Sequence, residues 1–117
     1  MIDITKTILE YKNEVENATT AEERKAALDK ANEALKSTGI YLDPEKNVIK
    51  PGEAAVVCED VSKINGFAML DTGTGTMDKV EIKNGKLVYS VGDTVAFVVI
   101  GDALFEVMNG TDLVRKK

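Results

Sequence analysis

Apolar residues in the first third of the chain recur at steps of three and four, the spacing of one face of an α-helix. They form a narrow stripe over residues 2–17, among Lys, Glu, Asp, Asn and Thr, and a second stripe over residues 21–37. Thr20 and Glu23 match a capping box that would start the second helix. Gly39 is well placed to end that helix in the left-handed conformation. The pattern predicts a helical hairpin, which we assign to residues 1–39.

Two short helices with thin apolar stripes are marginal on their own, so both stripes must pack on something. One alternative is an intramolecular hairpin that packs on the rest of the chain. The other is an oligomerisation or docking arm that contacts another subunit, and the spacing does not choose between them. The stripe residues expected to make these contacts are Ile4, Ile8, Tyr11, Val15, Leu28 and Leu35.

The period of the pattern changes to two after a short connector, which indicates β-strands. The connector, residues 40–52, carries turn signals at Asp43-Pro44 and at Pro51-Gly52. Strands are predicted next in AAVVC (54–58) and in GFAML (66–70).

Asn84-Gly85 lies between two alternating segments, and this dipeptide favours a β-hairpin because both residues tolerate positive φ in a type I′ turn. A two-residue turn would pair Ile82 with Leu87 and Val80 with Tyr89. The apolar residues would then share one face, as a hairpin that packs on a core requires.

Glycines recur nine residues apart at Gly92, Gly101 and Gly110. Each interval holds about one strand and one tight turn, which is typical of an antiparallel meander. Residues 53–117 are therefore predicted to form an antiparallel β-domain of about six or seven strands, as a small sandwich or a barrel-like meander. With the helical hairpin, the fold class is α+β.

The hairpin around Gly101-Asp102 is predicted to be apolar on both faces. One face would hold Ile100 with Ala103 and Val98 with Phe105. A strand pair that is apolar on both sides must be covered on both sides, by the helical hairpin, by a second sheet layer or by another protein chain. The opposite face, with Glu106 as its only charge, consists of Val95, Phe97, Val99, Leu104 and Met108.

The charge and composition of the chain exclude some classes of partner. The 117-residue chain has a net charge of −5, and an acidic chain repels phosphate backbones, so nucleic acid is not expected as its partner. No apolar run is long enough to cross a bilayer, so no membrane partner is expected. The first residues, MIDITKTILEYKNE, lack the basic start and apolar block of a secretory signal peptide. We therefore expect a virion or cytoplasmic protein.

The chain contains no histidine and one cysteine, Cys58, which limits its chemistry. Histidine-dependent triads and the usual zinc sites are excluded, and Cys58 in an apolar run is expected to be a small core residue. Neither Glu59-Asp60 nor the pair Asp71 and Asp78 has the ligand spacing of a calcium loop. No metal or cofactor is expected, and the basic residues at 115–117 are expected to form a solubilising tail.

Asp71-Thr72-Gly73 follows an apolar strand and resembles the catalytic triplet of the pepsin-like and retroviral aspartic proteases. The resemblance implies that Asp71 is a catalytic carboxylate. It also implies that a chain this short dimerises to supply the second Asp of the dyad. VVIGDALF (98–105) looks like the segment that supports the catalytic loop in that family.

A turn-forming loop is the other interpretation of DTGTGTMD (71–78), in which Asp and Thr side chains bond to their own backbone. Asp71 and Gly101 are 30 residues apart, and one compact hairpin occupies the interval in which the protease family has a flap and further strands. Thr74 also stands where the family commonly has Ala. These departures favour the loop.

The function predicted from the sequence is that of a non-enzymatic structural or interaction protein. Its strands carry more apolar surface than a small sheet buries alone, and no set of catalytic residues accompanies them. Protein partners are expected, either further copies of the chain or other subunits of an assembly. A head-decorating or head-fibre component of a bacteriophage virion is one such subunit. The alternative is a small homodimeric aspartic protease that uses Asp71.

Overall fold

The protein is α+β, with an N-terminal helical hairpin and an antiparallel β-domain, as predicted. The computed structural model describes residues 1–49, 54–75 and 77–116, apart from the side chains of residues 48 and 49. Helix α1 spans Ile4–Asn17 and helix α2 spans Ala21–Ala34.

Both helices begin at a side-chain cap. The backbone N–H of Lys6 donates to Asp3 Oδ1 at 3.0 Å, and that of Glu23 donates to Thr20 Oγ1 at 3.1 Å. The second half of the predicted capping box is displaced, because the Glu23 carboxylate accepts from Thr19. Gly39 is left-handed, with φ +82°, but a turn separates it from the last residue of α2.

The apolar stripes of the two helices are buried within the single chain. The α1 stripe packs against its partner helix and against the outside of the β-domain. A Cβ on Gly66, the first residue of a barrel strand, would lie 2.8 Å from the Ile4 side chain, so the helix starts in close contact with the sheet. The C-cap residue of α2, Leu35, is buried together with the helical residues Ile4, Ile8, Tyr11, Val15, Ala27, Leu28 and Ala31.

The predicted connector contains regular structure that the turn signals did not reveal. Strand β1 (Ile40–Leu42) is followed by a short helix, α3 (Pro44–Ile49), and β1 pairs antiparallel with β2 (Val56–Cys58). Asp43-Pro44 begins α3: Pro takes the first helical position, where no N–H is needed, and Asp43 Oδ1 accepts from two N–H groups. Pro51-Gly52 lies outside the described residues.

Six strands form a closed barrel in the order β3-β4-β5-β8-β7-β6. A 3₁₀ turn, Val61–Lys63, leads into it. The strands are β3 (Gly66–Asp71), β4 (Met77–Lys83), β5 (Lys86–Leu87), β6 (Phe97–Ile100), β7 (Ala103–Met108) and β8 (Asp112–Lys116).

The two predicted tight turns are present. Asn84 and Gly85 have φ of 53° and 75°, and Ile82 pairs with Leu87 across them. At the second turn, β6 and β7 pair in the predicted register: Ile100 lies opposite Ala103. Inward side chains of all six strands fill the barrel; they are Ala68, Leu70, Val80, Ile82, Leu87, Val98, Ile100, Ala103, Phe105, Val107 and Leu113.

The predicted pairing of Val80 with Tyr89 is wrong. Strand β5 ends at Leu87, and Tyr89 is exposed. The Val88 N–H still donates to the Glu81 carbonyl of β4 at 3.2 Å, and the chain then turns to the β7–β8 turn, where the Val91 N–H donates to the Gly110 carbonyl at 2.9 Å.

The predicted meander is wrong at one step. The turn at Gly92 does not join two paired strands, because β5 pairs with β8 and β6 pairs with β3. The prediction of a solubilising tail at residues 115–117 is also wrong for the two residues that the structure describes. Arg115 and Lys116 belong to β8, and the Arg115 guanidinium donates to the Val56 carbonyl at 3.2 Å. Lys117 lies outside the described residues.

We expect Asp3→Ala to lower the free energy of unfolding by about 1 kcal/mol, because α1 loses its N-cap. Burial alone would raise the pKa of Asp3, but the Lys6 N–H bond and the Lys79 ammonium, 3.0 Å away, outweigh it and lower that pKa. The stabilisation is thus present above the ordinary carboxyl pKa and is lost as pH falls through the folded value. Urea denaturation at neutral and acidic pH measures it.

The matched control is Asp3→Asn, which keeps a capping oxygen without the charge. We expect it to lose less stability than Asp3→Ala and to show a weaker dependence on pH in the acidic range. Equal losses for the two variants at every pH would contradict the assigned role of Asp3.

Candidate docking face

One side of the β6–β7 hairpin points away from the barrel core and carries apolar side chains. Strand register places Val99 opposite Leu104, and Phe97 opposite Glu106, which in turn lies opposite Val114 of β8. Since alternate residues of a strand share a face, these side chains form one continuous surface. We call it the outer face; it consists of Phe97, Val99, Leu104, Met108 and Val114, together with Glu106 and Lys116, and Asp112 lies at its edge opposite Met108. We include the exposed Val95, which precedes Phe97 by two residues.

The outer face is incompletely covered within the chain. Val95 is 64% exposed, and Val99, Leu104, Met108 and Val114 are exposed as well, whereas Phe97 is half-buried. Scattered exposed apolar residues are ordinary, but a contiguous apolar surface is typical of an interaction site. The five β-domain residues predicted to need a cover are therefore brought together.

A single carboxylate lies at the centre of the outer face. Glu106 has Leu104 and Met108 two residues away on its own strand, and it lies opposite Phe97 and Val114 on the two neighbouring strands. A charge surrounded by four apolar residues is costly to remove from water unless it is paired.

Lys116 supplies that pairing. Its Nζ lies 3.6 Å from Glu106 Oε2 and 5.5 Å from the centroid of the Phe97 ring. The lysine side chain therefore crosses β7 from β8, and its charge stays within the face. Exposed ion pairs contribute little to stability, so this pair is better suited to recognition than to holding the fold.

A groove borders the outer face where α1 crosses the barrel. It has a volume of about 190 Å³, and its lining includes Leu9, Lys12, Met69, Met77 and Val99. Leu9 and Met77 are exposed. The groove continues the apolar surface from the hairpin onto the helix.

The structure separates the predicted interface residues into two groups. The six helical positions lie in the intramolecular core, whereas the five positions on β6, β7 and the segment before β6 lie on the outer face. Sequence reasoning missed Leu9, Met77 and Val114. Alternation along β8 could have found Val114, but only the tertiary structure shows that Leu9 and Met77 lie beside the groove.

The Asp71-Thr72-Gly73 triplet forms a local turn. Asp71 Oδ1 accepts from the Gly73 N–H at 2.8 Å, and the hydroxyls of Thr72 and Thr74 lie 2.9 Å apart. These contacts match the predicted loop, although β4 already begins at Met77 and the loop is shorter than expected.

Only the turn of the segment expected to support a catalytic loop lies away from this triplet, because Val98 at the start of that segment pairs with Leu70, next to Asp71. Strands β3 and β6 pair Met69 with Val99 and Asp71 with Phe97, so Gly101 would align with Phe67. At the rise of an extended strand, four residues correspond to about 13 Å. Gly101 therefore lies near the other end of the strand pair from Asp71.

Cys58 is half-buried at the end of β2, and burial raises the pKa of its thiol. Among residues 1–49, 54–75 and 77–116, no group of three or more Cys, Asp or Glu side chains could hold a metal ion. Asp60 belongs to the acidic pair Glu59-Asp60. Its carboxylate caps the 3₁₀ turn by accepting hydrogen bonds from the N–H and the hydroxyl of Ser62. Within the same part of the chain, no helix has the length and apolar character to cross a bilayer.

Comparison with models of known families, with curated proteins and with solved structures gave no match to the chain.

Proposed function

We propose that the protein is a non-enzymatic structural or interaction protein that docks on another protein chain through the outer face. The observation that carries the proposal is the continuous apolar surface of the β6–β7 hairpin, with one ion pair at its centre. The centres of protein interfaces are rich in apolar and aromatic side chains and poor in unpaired charge. The outer face has this composition.

Site-specific photo-crosslinking tests the proposal. A benzophenone amino acid would replace Leu104 on the outer face or, as a control, Tyr41 on β1. The two side chains are matched in exposure, at 36% and 38%, but Tyr41 belongs to the separate β1–β2 sheet. Irradiation would be carried out on the purified chain and in an extract of its source cells. Mass spectrometry would identify any protein adduct.

We expect protein adducts at position 104 and none, or far fewer, at position 41. The absence of protein adducts at position 104 in both preparations would overturn the proposal. Equal adduct yields at the two positions would overturn it too, because the contact would then be unspecific.

A bacteriophage virion is one assembly in which such a subunit would serve, as a head-decorating or head-fibre protein. We propose it as a finer assignment within the proposed function class. Mass photometry of the purified chain with assembled heads would test it. A chain that does not bind the heads would remove the virion assignment and leave the docking proposal in place.

A further inference from the structure

We infer that the outer face docks on a second copy of this chain, through a two-fold contact centred on the Glu106–Lys116 ion pair. The inference rests on the proposed function and adds the identity of the partner. Two features of the face support it: the central position of Glu106 and the presence of both charge signs. The acidity of the whole chain supports it as well.

The central position of Glu106 favours a partner that adds a second cation, because its pairing with Lys116, at 3.6 Å, would lose water on docking. Its four apolar neighbours would contact any docked chain, so the carboxylate would be buried with them. One cation, Lys116, accompanies it in the isolated chain. A docked surface that brings a second cation to the same point would satisfy the carboxylate more fully.

A second copy brings such a cation. A two-fold contact is isologous, which means that the same patch is used by both subunits. If the axis passes beside the ion pair, two glutamates and two lysines meet in alternation, and each Lys116 reaches its own Glu106 and that of its partner. The surrounding apolar residues then face apolar residues of the second copy.

The charge of the whole chain adds to this argument. The chain has a net charge of −5, so random approaches of two copies are repulsive. The outer face holds one positive and one negative group at its centre, and the carboxylate at its β8 edge, Asp112, is paired with Lys86 at 3.5 Å. Electrostatics thus favours this approach over a contact between acidic surfaces.

Charge exchange between two chains tests the inference. The variants Lys116→Glu and Glu106→Lys each place like charges across the two-fold axis, so each alone is expected to self-associate about tenfold more weakly than the unsubstituted chain. In an equimolar mixture, every intermolecular pair is again of opposite sign. The mixture is therefore expected to associate within about threefold of the unsubstituted chain. Sedimentation velocity across a concentration series up to about 1 mM measures this.

Mixing separates the contact between chains from the contact within a chain. Each variant keeps a like-charge pair inside its own chain, and mixing does not repair it. Recovery on mixing therefore supports the two-fold contact, whereas equal weakness of the mixture and the single variants overturns it. The double variant Lys116→Glu with Glu106→Lys restores both kinds of pair, and we expect it to self-associate like the unsubstituted chain.

Glu106→Gln gives a second, independent test because the sign of its effect is informative. If Glu106 served to prevent association of an apolar surface, its neutralisation would tighten self-association. In the two-fold contact it removes two attractive charges, so we expect weaker association, and tighter association would overturn the inference.

The crosslinking and sedimentation results distinguish the two proposals. If the chain is monomeric at every concentration while position 104 yields adducts with a different protein, the second copy is excluded and the docking function remains. If position 104 yields no adduct of either kind, both proposals fail.

Discussion

Replacement of Phe105 by alanine is expected to lower the free energy of unfolding by about 3–5 kcal/mol. Phe105 is 0% exposed, and its strand register places it opposite Val98 on one side and Arg115 on the other. The substitution removes the largest fully buried side chain of the barrel and leaves a cavity that its neighbours fill only in part. Such a loss is a large fraction of the stability of an ordinary domain. Urea and thermal denaturation measure it.

Leu104→Ala is the matched control, because Leu104 is the preceding residue of the same strand and points to the opposite side. Its side chain lies on the outer face and is partly in water already, so we expect a loss of about 1 kcal/mol or less. Similar losses for the two variants would contradict the assignment of Leu104 to the outer face and Phe105 to the core. Both measurements should be made at low protein concentration, because association through the outer face would add apparent stability.

Gly85→Ala is expected to lower the free energy of unfolding by about 3 kcal/mol, for two reasons that add. Gly85 has φ of 75°, in the left-handed region that favours glycine. A Cβ at this position would also overlap the carbonyl oxygen of Val61 in the 3₁₀ turn. The substitution therefore strains the β4–β5 turn and pushes it away from the 3₁₀ turn that contains Val61. Chemical denaturation monitored by circular dichroism would show the loss.

Gly92→Ala separates the two contributions. Gly92 has φ of 68°, close to that of Gly85, but among the described residues no atom beyond its two chain neighbours lies within 4 Å of the position that its Cβ would take. We expect a cost of about 1 kcal/mol, from backbone conformation alone. If Gly92→Ala were as destabilising as Gly85→Ala, the contact with Val61 would not explain the larger loss.

The sequence predicts the local elements of this fold well because their determinants are local. Helix α2 starts where Thr20 can cap it, and Asn84-Gly85 forms a tight turn because both residues accept positive φ. The β6–β7 register follows from alternation around Gly101-Asp102. Each prediction depends on residues fewer than ten positions apart.

The pairing of distant strands could not be predicted in the same way. Alternation shows which side of β5 and β6 is apolar, but it does not show that their partners are β8 and β3. The spacing of the glycines suggested a simple meander, and the segment after Leu87 departs from it to bond with Gly110. Arg115 and Lys116 have the composition of a tail, and only the free edge beside β7 explains why they form a strand.

The candidate site shows the same division. Alternation in β6 and β7 identified an apolar side with Glu106 as its one charge, and the structure places these residues on a single surface. The pairing of Glu106 with Lys116 depends on the neighbouring strand β8, so sequence spacing could not indicate it. The aspartic protease resemblance rests on a short motif, and the hydrogen bond from Gly73 to Asp71 shows how the same residues form an ordinary turn.

Closure of the barrel depends on its narrowest junction, between β5 and β8. One residue pair, Lys86 with Asp112, joins these strands in register, and two backbone hydrogen bonds flank it: Leu87 to Thr111 and Leu113 to Gly85. A fluctuation that breaks these bonds, together with the Lys86–Asp112 ion pair and the bond from the Val91 N–H to the Gly110 carbonyl, would convert the barrel into an open ribbon with two unsatisfied edges. Free strand edges pair with strands of other molecules and cause aggregation. The β5–β8 junction is therefore expected to protect the protein from aggregation by keeping both edges paired.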